Sequence, residues 1–139
     1  ALGAAVGCLE ASLAYVKERK QFGNPISQYQ LIKAIIADME TDLEAGRLLC
    51  AKAGYEKLID SPESIMTTTK AKYFVSKILK NISNDAVQIH GANGCSDTYP
   101  VERYYRDAKV IEIIEGSNQM QQLMISGYAY QKKLIKKEI

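Results

Sequence analysis

Apolar residues recur at steps of three and four along almost the whole chain, and this helical period limits most strongly what the chain can fold into. Such spacing places the apolar side chains on one face of a helix. In the first segment the recurring residues are Leu2, Val6, Leu9, Leu13 and Val16. With 139 residues, 47% of them hydrophobic, the chain is long enough for one domain with its own core and too short for two.

Breaks in this period divide the chain into helices. Gly-Asn-Pro at residues 23–25 ends the first helix, because glycine and proline interrupt helical backbone. Ser27 and Gln30 have the spacing of a capping box, in which two side chains satisfy the free N–H groups of a helix start. The sequence therefore predicts a second helix that begins at Ser27 and continues to about Ile59.

Asp-Ser-Pro-Glu at residues 60–63 ends the second helix and favours the start of a third, because proline is suited to a first helical turn. The third helix is predicted to end near Gly91, in a loop. Residues 101–108 are predicted to form a short helix, and Lys109–Ile114 resembles a strand. A last helix is predicted from Ser117. Three long antiparallel helices and a final one predict an all-α fold, a four-helix bundle.

Composition excludes several classes of protein. The net charge of +2 is too small for a nucleic-acid surface, which needs a concentrated basic excess. No apolar run approaches the ~20 residues of a membrane span. Three widely separated cysteines without a metal-ligand spacing favour a reducing compartment. We expect a cytoplasmic location, with the mitochondrial matrix as the alternative, and neither a nucleic acid nor a membrane as partner.

The histidine content argues against two kinds of catalytic site found in helical bundles. A di-metal carboxylate site needs two Glu-x-x-His pairs, whereas this chain has one histidine, His90, with Val87 three residues before it. A serine or cysteine nucleophile also needs a histidine base, and His90 would have to serve alone. We therefore expect no metal site. More informative are polar residues at predicted helix ends, because an arginine such as Arg19 and a helix start such as Ser117 suit anionic or polyhydroxylated ligands.

Four motifs in order resemble the C-terminal helical domain of the FAD-dependent acyl-CoA dehydrogenases. Residues 18–30 resemble that family's ERxxFGxxI…Q, and residues 88–94 its QIxGGxG. Residues 99–109 are similar to YPxERxxRDAK, and residues 115–119 to EG[ST]xQ. The resemblance covers nearly the whole chain, and it implies a four-helix bundle, as the periodicity does.

The resemblance implies an oxidoreductase that converts an acyl thioester into a trans-2-enoyl thioester. Glu115 would be the base that removes the α-proton, while the β-hydride passes to FAD, and Gly116 would contact the substrate. Exclusion of water makes a carboxylate a stronger base, and the apolar Ile113 and Ile114 before Glu115 suit that need.

The resemblance also assigns a set of residues to FAD. They are Arg19, Gln21, Phe22, Gln30, Gln88, Ile89, His90, Gly91, Ala92, Ser117, Asn118 and Gln119. Ser117 and Gln119 would touch the flavin that their own subunit covers, whereas Arg19, Gln30 and residues 88–92 would reach the pyrophosphate and adenosine of a neighbouring subunit. For Gln30, the capping box with Ser27 is the alternative.

The implied partners are an acyl-CoA or acyl-carrier-protein substrate, an electron-transfer flavoprotein, and further copies of the chain in a homotetramer. Self-association is also expected from apolar positions on the long helices, namely Ile32, Ile35, Ile36, Met39, Ile78 and Ile82. The chain opens on residues typical of a helix interior, so we expect a C-terminal fragment of a flavoenzyme whose N-terminal helical and middle β domains lie upstream. The alternative is a non-catalytic helical module retained for oligomerisation.

Overall fold

A computed structural model describes residues 1–135 of the chain, with side chains through Lys132. The predicted domain continues to Ile139, and residues 136–139 lie outside the described part. The α-helices of that part are α1 (Leu2–Glu18), α2 (Gln30–Leu58), α3 (Ser64–His90), α4 (Val101–Ile113) and α5 (Asn118–Ile135). The all-α prediction is confirmed. Within residues 1–135, no helix combines the length and apolar character needed to cross a bilayer.

Helix α3 lies at the centre of the bundle and packs against each of the other four helices. Its Leu79 and Ile82 are fully buried, together with Met39 and Leu43 of α2. Burying such a side chain stabilises the fold by about 1.5–3 kcal/mol. The proposal that apolar positions of α2 and α3 drive self-association was therefore wrong for Met39, Ile78 and Ile82, which build the core of this chain, while Ile32, Ile35 and Ile36 pack partly buried against it.

The buried face of α1 is displaced from the predicted one. Leu9 and Val16 are buried as expected, but Leu13 is 37% exposed. The other buried positions are small, namely Ala5, Cys8 and Ser12. Small side chains do not stand out in a hydrophobic period, yet they let helices approach closely. The Ser12 hydroxyl donates to the Cys8 carbonyl oxygen at 2.8 Å, which satisfies it inside the bundle.

A short β-hairpin follows α1, and the sequence pattern did not predict it. Strands β1 (Lys20–Gln21) and β2 (Asn24–Pro25) pair antiparallel around a two-residue turn. Both turn residues have left-handed backbone, with φ of +48° at Phe22 and +82° at Gly23. This is the turn type whose twist matches a hairpin, and it normally selects Asn-Gly. This chain has phenylalanine instead of asparagine in the first turn position, so the usual sequence signature of the hairpin is absent.

The predicted capping box of Ser27 and Gln30 was wrong. Ser27 belongs to a 3₁₀ turn over Ile26–Gln28, and α2 begins at Gln30 with no side-chain cap bond. The hairpin returns the chain directly into that turn, so the geometry needed for reciprocal capping does not form. The strand suggested for Lys109–Ile114 was also wrong, because residues 109–113 form the last turns of α4.

Phe22→Asn is expected to stabilise the isolated chain by about 1 kcal/mol. A left-handed residue with a large side chain costs roughly 1–2 kcal/mol, whereas asparagine tolerates this conformation. Little packing is lost, because Phe22 is 93% exposed. Urea unfolding of the two chains checks this, with Phe22→Ala as the control that removes the ring without supplying a turn-forming residue. An asparagine variant no more stable than the alanine variant would contradict the prediction.

Candidate functional site

Glu115 lies in the tight connection between α4 and α5. Its φ is +55°, and Gly116 follows with φ of +85°. Glycine adopts such backbone without cost, but glutamate does so rarely. The Glu115 side chain is exposed, and so are Ile113 and Ile114 immediately before it. The connection therefore presents a carboxylate beside an uncovered apolar surface.

The start of α5 holds the next three candidate residues. Ser117 precedes the helix, and its hydroxyl accepts a hydrogen bond from the Met120 N–H at 3.4 Å. Gln119 is exposed. Asn118 instead turns its side chain into the bundle, where it is 7% exposed and its Oδ1 accepts from Ser76 at 2.7 Å. The contact between Asn118 and FAD stays a prediction. With the side chain turned inward, only the main chain of Asn118 could make it.

A mostly apolar cleft of about 500 Å³ borders Glu115. It lies between the first turns of α3, including Ile65, and α5, including Met124. Lys72 also lines it and donates to the Asn118 Oδ1 at 3.1 Å. Burial lowers the pKa of the Lys72 ammonium group, although the negative charge of Glu112 opposes the shift. The cleft therefore has the carboxylate of Glu115 on its border and apolar side chains such as Ile65 and Met124 on its wall.

A second cleft, also about 500 Å³, forms between the hairpin region and the end of α3. Seven of the residues assigned to FAD line it together, namely Arg19, Gln21, Gln88, Ile89, His90, Gly91 and Ala92. Arg19 directly follows α1 in extended backbone, and it is exposed. An arginine and two amide side chains around one cleft form a suitable donor set for a phosphate.

Tyr15 fixes the wall of this cleft. Its hydroxyl donates to the His90 carbonyl oxygen at 3.3 Å and accepts from the Asn93 side chain at 2.9 Å. Its ring stacks on the His90 imidazole, with centroids 4.2 Å apart. The His90 Nδ1 donates to the Ala86 carbonyl oxygen at 2.8 Å, and burial lowers the pKa of His90. Burial thus favours the neutral form of the imidazole.

Phe22 and Gln30 border a neighbouring groove of about 580 Å³ rather than the second cleft itself. The two spaces share Gln21, Tyr29 and Ile32 on their walls. The Tyr29 hydroxyl donates to the Gln21 carbonyl oxygen at 2.7 Å, which ties the hairpin to the start of α2. The cofactor residues predicted before residue 93 therefore form one continuous region. Glu115 and Gly116 lie apart from it in the sequence, in the connection that follows α4.

Several residues that shape these sites escaped prediction. Tyr15, Tyr29 and Asn93 hold the second cleft, and Lys72 and Gln121 contact the connection around Glu115. Each of these residues makes a hydrogen bond either to a residue distant in sequence or to a main-chain carbonyl group. Helical period carries no signal for such contacts. Tyr29 and Asn93 lie inside the ranges of matched motifs, and Tyr15 lies three residues before one of them, which is the only signal that the sequence offers for these three residues.

A family model described as "Acyl-CoA dehydrogenase, C-terminal domain" matches residues 1–129. The CarC subunit of a caffeyl-CoA reductase–Etf complex from Acetobacterium woodii is 44% identical over 132 residues, which are 94% of this chain and 34% of that protein. A short-chain-specific acyl-CoA dehydrogenase from Clostridium acetobutylicum is 40% identical over 127 residues, which are 91% of this chain and 33% of that protein.

Among solved structures, butyryl-CoA dehydrogenase from Megasphaera elsdenii is similar with a TM-score of 0.90 and 37% identity. The match covers 93% of this chain and 33% of that chain. The chain thus spans about one third of the length of the relatives it matches.

Proposed function

Because this chain belongs to the acyl-CoA dehydrogenase family, whose C-terminal domain it matches, we propose that it completes the active site of an enzyme that oxidises an acyl thioester to its trans-2-enoyl form. The proposed base is Glu115, which removes the α-proton. The observation that carries this assignment is the left-handed backbone of Glu115. Strain of this kind costs on the order of 1–3 kcal/mol and concentrates at functional sites.

The surroundings of Glu115 support a role as base. Ile113 is 58% exposed and Ile114 is 49% exposed, so an acyl chain and an adjoining domain have apolar surface to cover there. Such cover would exclude water, which strengthens a carboxylate as a base. Gly116, without a side chain, lets the thioester approach the main chain beside Glu115.

Members of this family are FAD-dependent flavoproteins, and the second cleft fits part of that cofactor. Arg19 would bind its pyrophosphate, and Gln21 and Gln88 would add amide contacts. Phe22 and Gln30 in the adjoining groove would extend the contact. When bound, FAD supplies the acceptor for the hydride that leaves the β-carbon.

We also propose an electron-transfer flavoprotein as redox partner and a homotetramer as the assembly. The relative from Acetobacterium woodii is a subunit of a reductase–Etf complex, which supports the first. Exposed Leu31 and Leu58, each 81% exposed on α2, support association. The same relative is named as a subunit of a reductase complex, so a second candidate function is the reverse reaction. An enoyl thioester would then receive a hydride at the β-carbon from reduced FAD and a proton at the α-carbon from Glu115.

Anaerobic addition of a short acyl-CoA to the complete FAD-loaded protein is expected to bleach the flavin and yield the enoyl thioester. Pivaloyl-CoA, which has no α-hydrogen, is the control and should leave the flavin oxidised. A series from butyryl- to octanoyl-CoA, with acyl-carrier-protein thioesters alongside, identifies the substrate. An FAD-free protein that assembles normally would contradict the proposal and favour the oligomerisation module.

A further inference from the structure

We propose that Gln121 is a positioning residue, whose side chain holds the connection at Glu115 in its left-handed form and so aims the base. This inference rests on the proposed role of Glu115. Gln121 lies one turn into α5, and it is only 9% exposed although its side chain is polar. Its amide Nε2 donates to the Gly116 carbonyl oxygen at 3.2 Å and approaches the Glu115 carbonyl oxygen at 3.5 Å.

A left-handed glutamate is disfavoured because its Cβ lies close to the following carbonyl oxygen. The hydrogen bond from the Gln121 amide to the Gly116 carbonyl oxygen at 3.2 Å offsets part of that cost. The same amide approaches the Glu115 carbonyl oxygen, so one side chain contacts both residues with positive φ. Gln121 is therefore placed to stabilise this backbone form selectively.

The space around Gly116 shows that the amide occupies a defined position. A Cβ atom added to Gly116 would lie 2.6 Å from the Gln121 Nε2, so it would displace the amide from its present position. The φ of +85° independently favours glycine at 116.

A second set of contacts fixes the two helix ends that flank the connection. Lys72 of α3 reaches the Glu112 carbonyl oxygen near the end of α4 at 3.5 Å and the Asn118 Oδ1 at the start of α5 at 3.1 Å. Asn118 is held in turn by Ser76. With both ends anchored to α3, the remaining freedom lies in residues 114–117, which is where Gln121 acts.

Gln121→Met keeps the length of the side chain and removes the donor, and Gln121→Glu keeps the size and polarity but presents only acceptors. In the complete FAD-loaded enzyme both are expected to slow flavin reduction by butyryl-CoA about tenfold to a hundredfold, the loss typical of a misplaced catalytic group. The FAD content and the dissociation constant of butyryl-CoA should change little. Gln122→Met is the matched control, because Gln122 is exposed and bonds to Tyr73 instead.

The double variant Gln121→Met/Glu115→Gln tests whether Gln121 acts through Glu115. If Gln121 acts through Glu115, the double variant reduces no more slowly than Glu115→Gln alone, and a crystal structure of Gln121→Met shows φ of Glu115 outside the left-handed region. A further tenfold loss in the double variant, or single variants equal to Gln122→Met, would overturn the inference while leaving the base assigned. Glu115→Gln reducing at the parental rate would overturn the proposed function and the inference together.

Discussion

Glu115→Gln in the complete enzyme is expected to slow flavin reduction about 10⁴-fold while FAD and acyl-CoA remain bound. Glutamine reproduces the shape of the side chain and lacks its basicity. The loss should therefore fall on the rate of the chemical step and only slightly on affinity. General bases contribute typically ~10²–10⁴-fold, and we expect the upper end because the carboxylate removes a weakly acidic C–H proton as the hydride leaves the adjacent β-carbon.

Anaerobic stopped-flow absorbance, with butyryl-CoA above saturation, measures this rate directly. Glu112→Gln is the matched control, because Glu112 lies three residues earlier and pairs with Lys109 at 2.8 Å. That variant should reduce at close to the parental rate. If Glu115→Gln slows reduction by less than about tenfold, the base is a residue other than Glu115.

The position of Glu115 at a helix boundary could be predicted from sequence, but its backbone conformation could not. The matched motif and the glycine after it indicated a turn there. Whether a glutamate or its neighbours take left-handed backbone depends on how α4 and α5 meet α3, a tertiary matter that local propensity does not encode. Gln121 illustrates the same limit, because a glutamine one turn into a helix is typical of a solvated face.

Long helices were predictable because their period repeats over many residues. Helices α2 and α3 end where the sequence predicted, at Leu58 and His90. The short elements were not predictable. The hairpin depends on a left-handed Phe22, and Lys109–Ile113 continues a helix although its local alternation resembles a strand. In both cases the contacts of the folded chain outweigh the local pattern.

The candidate cofactor cleft contains one part that the sequence predicted and one part that it could not predict. Residues 88–90 form the last turn of the predictable helix α3, and residues 91 and 92 begin the 3₁₀ turn that follows it, where the sequence predicted a loop. Their meeting with Arg19 is a property of the bundle, in which α1 and α3 pack together. Tyr15 joins the two helices there, and no sequence spacing relates residue 15 to residue 90.

Arg19→Met is expected to weaken FAD binding to the complete apoenzyme roughly tenfold to a hundredfold. An arginine bonds a phosphate through two parallel N–H groups, and hydrogen bonds to charged groups contribute about 1.5–3 kcal/mol each. The main-chain contacts of Arg19, with Tyr15 and Ile26 at 2.9 Å, do not involve the side chain. The variant should therefore fold normally.

Fluorescence titration of FAD into the apoenzyme measures the dissociation constant, and Lys20→Met is the matched control. Lys20 is adjacent, exposed and equally charged, but it belongs to the hairpin strand and does not line the second cleft. If only overall charge mattered, both variants would lose affinity alike, and both losses would vanish at high salt. Loss confined to Arg19→Met would place the guanidinium at the pyrophosphate, whereas equal, salt-sensitive losses would remove Arg19 from the cofactor site.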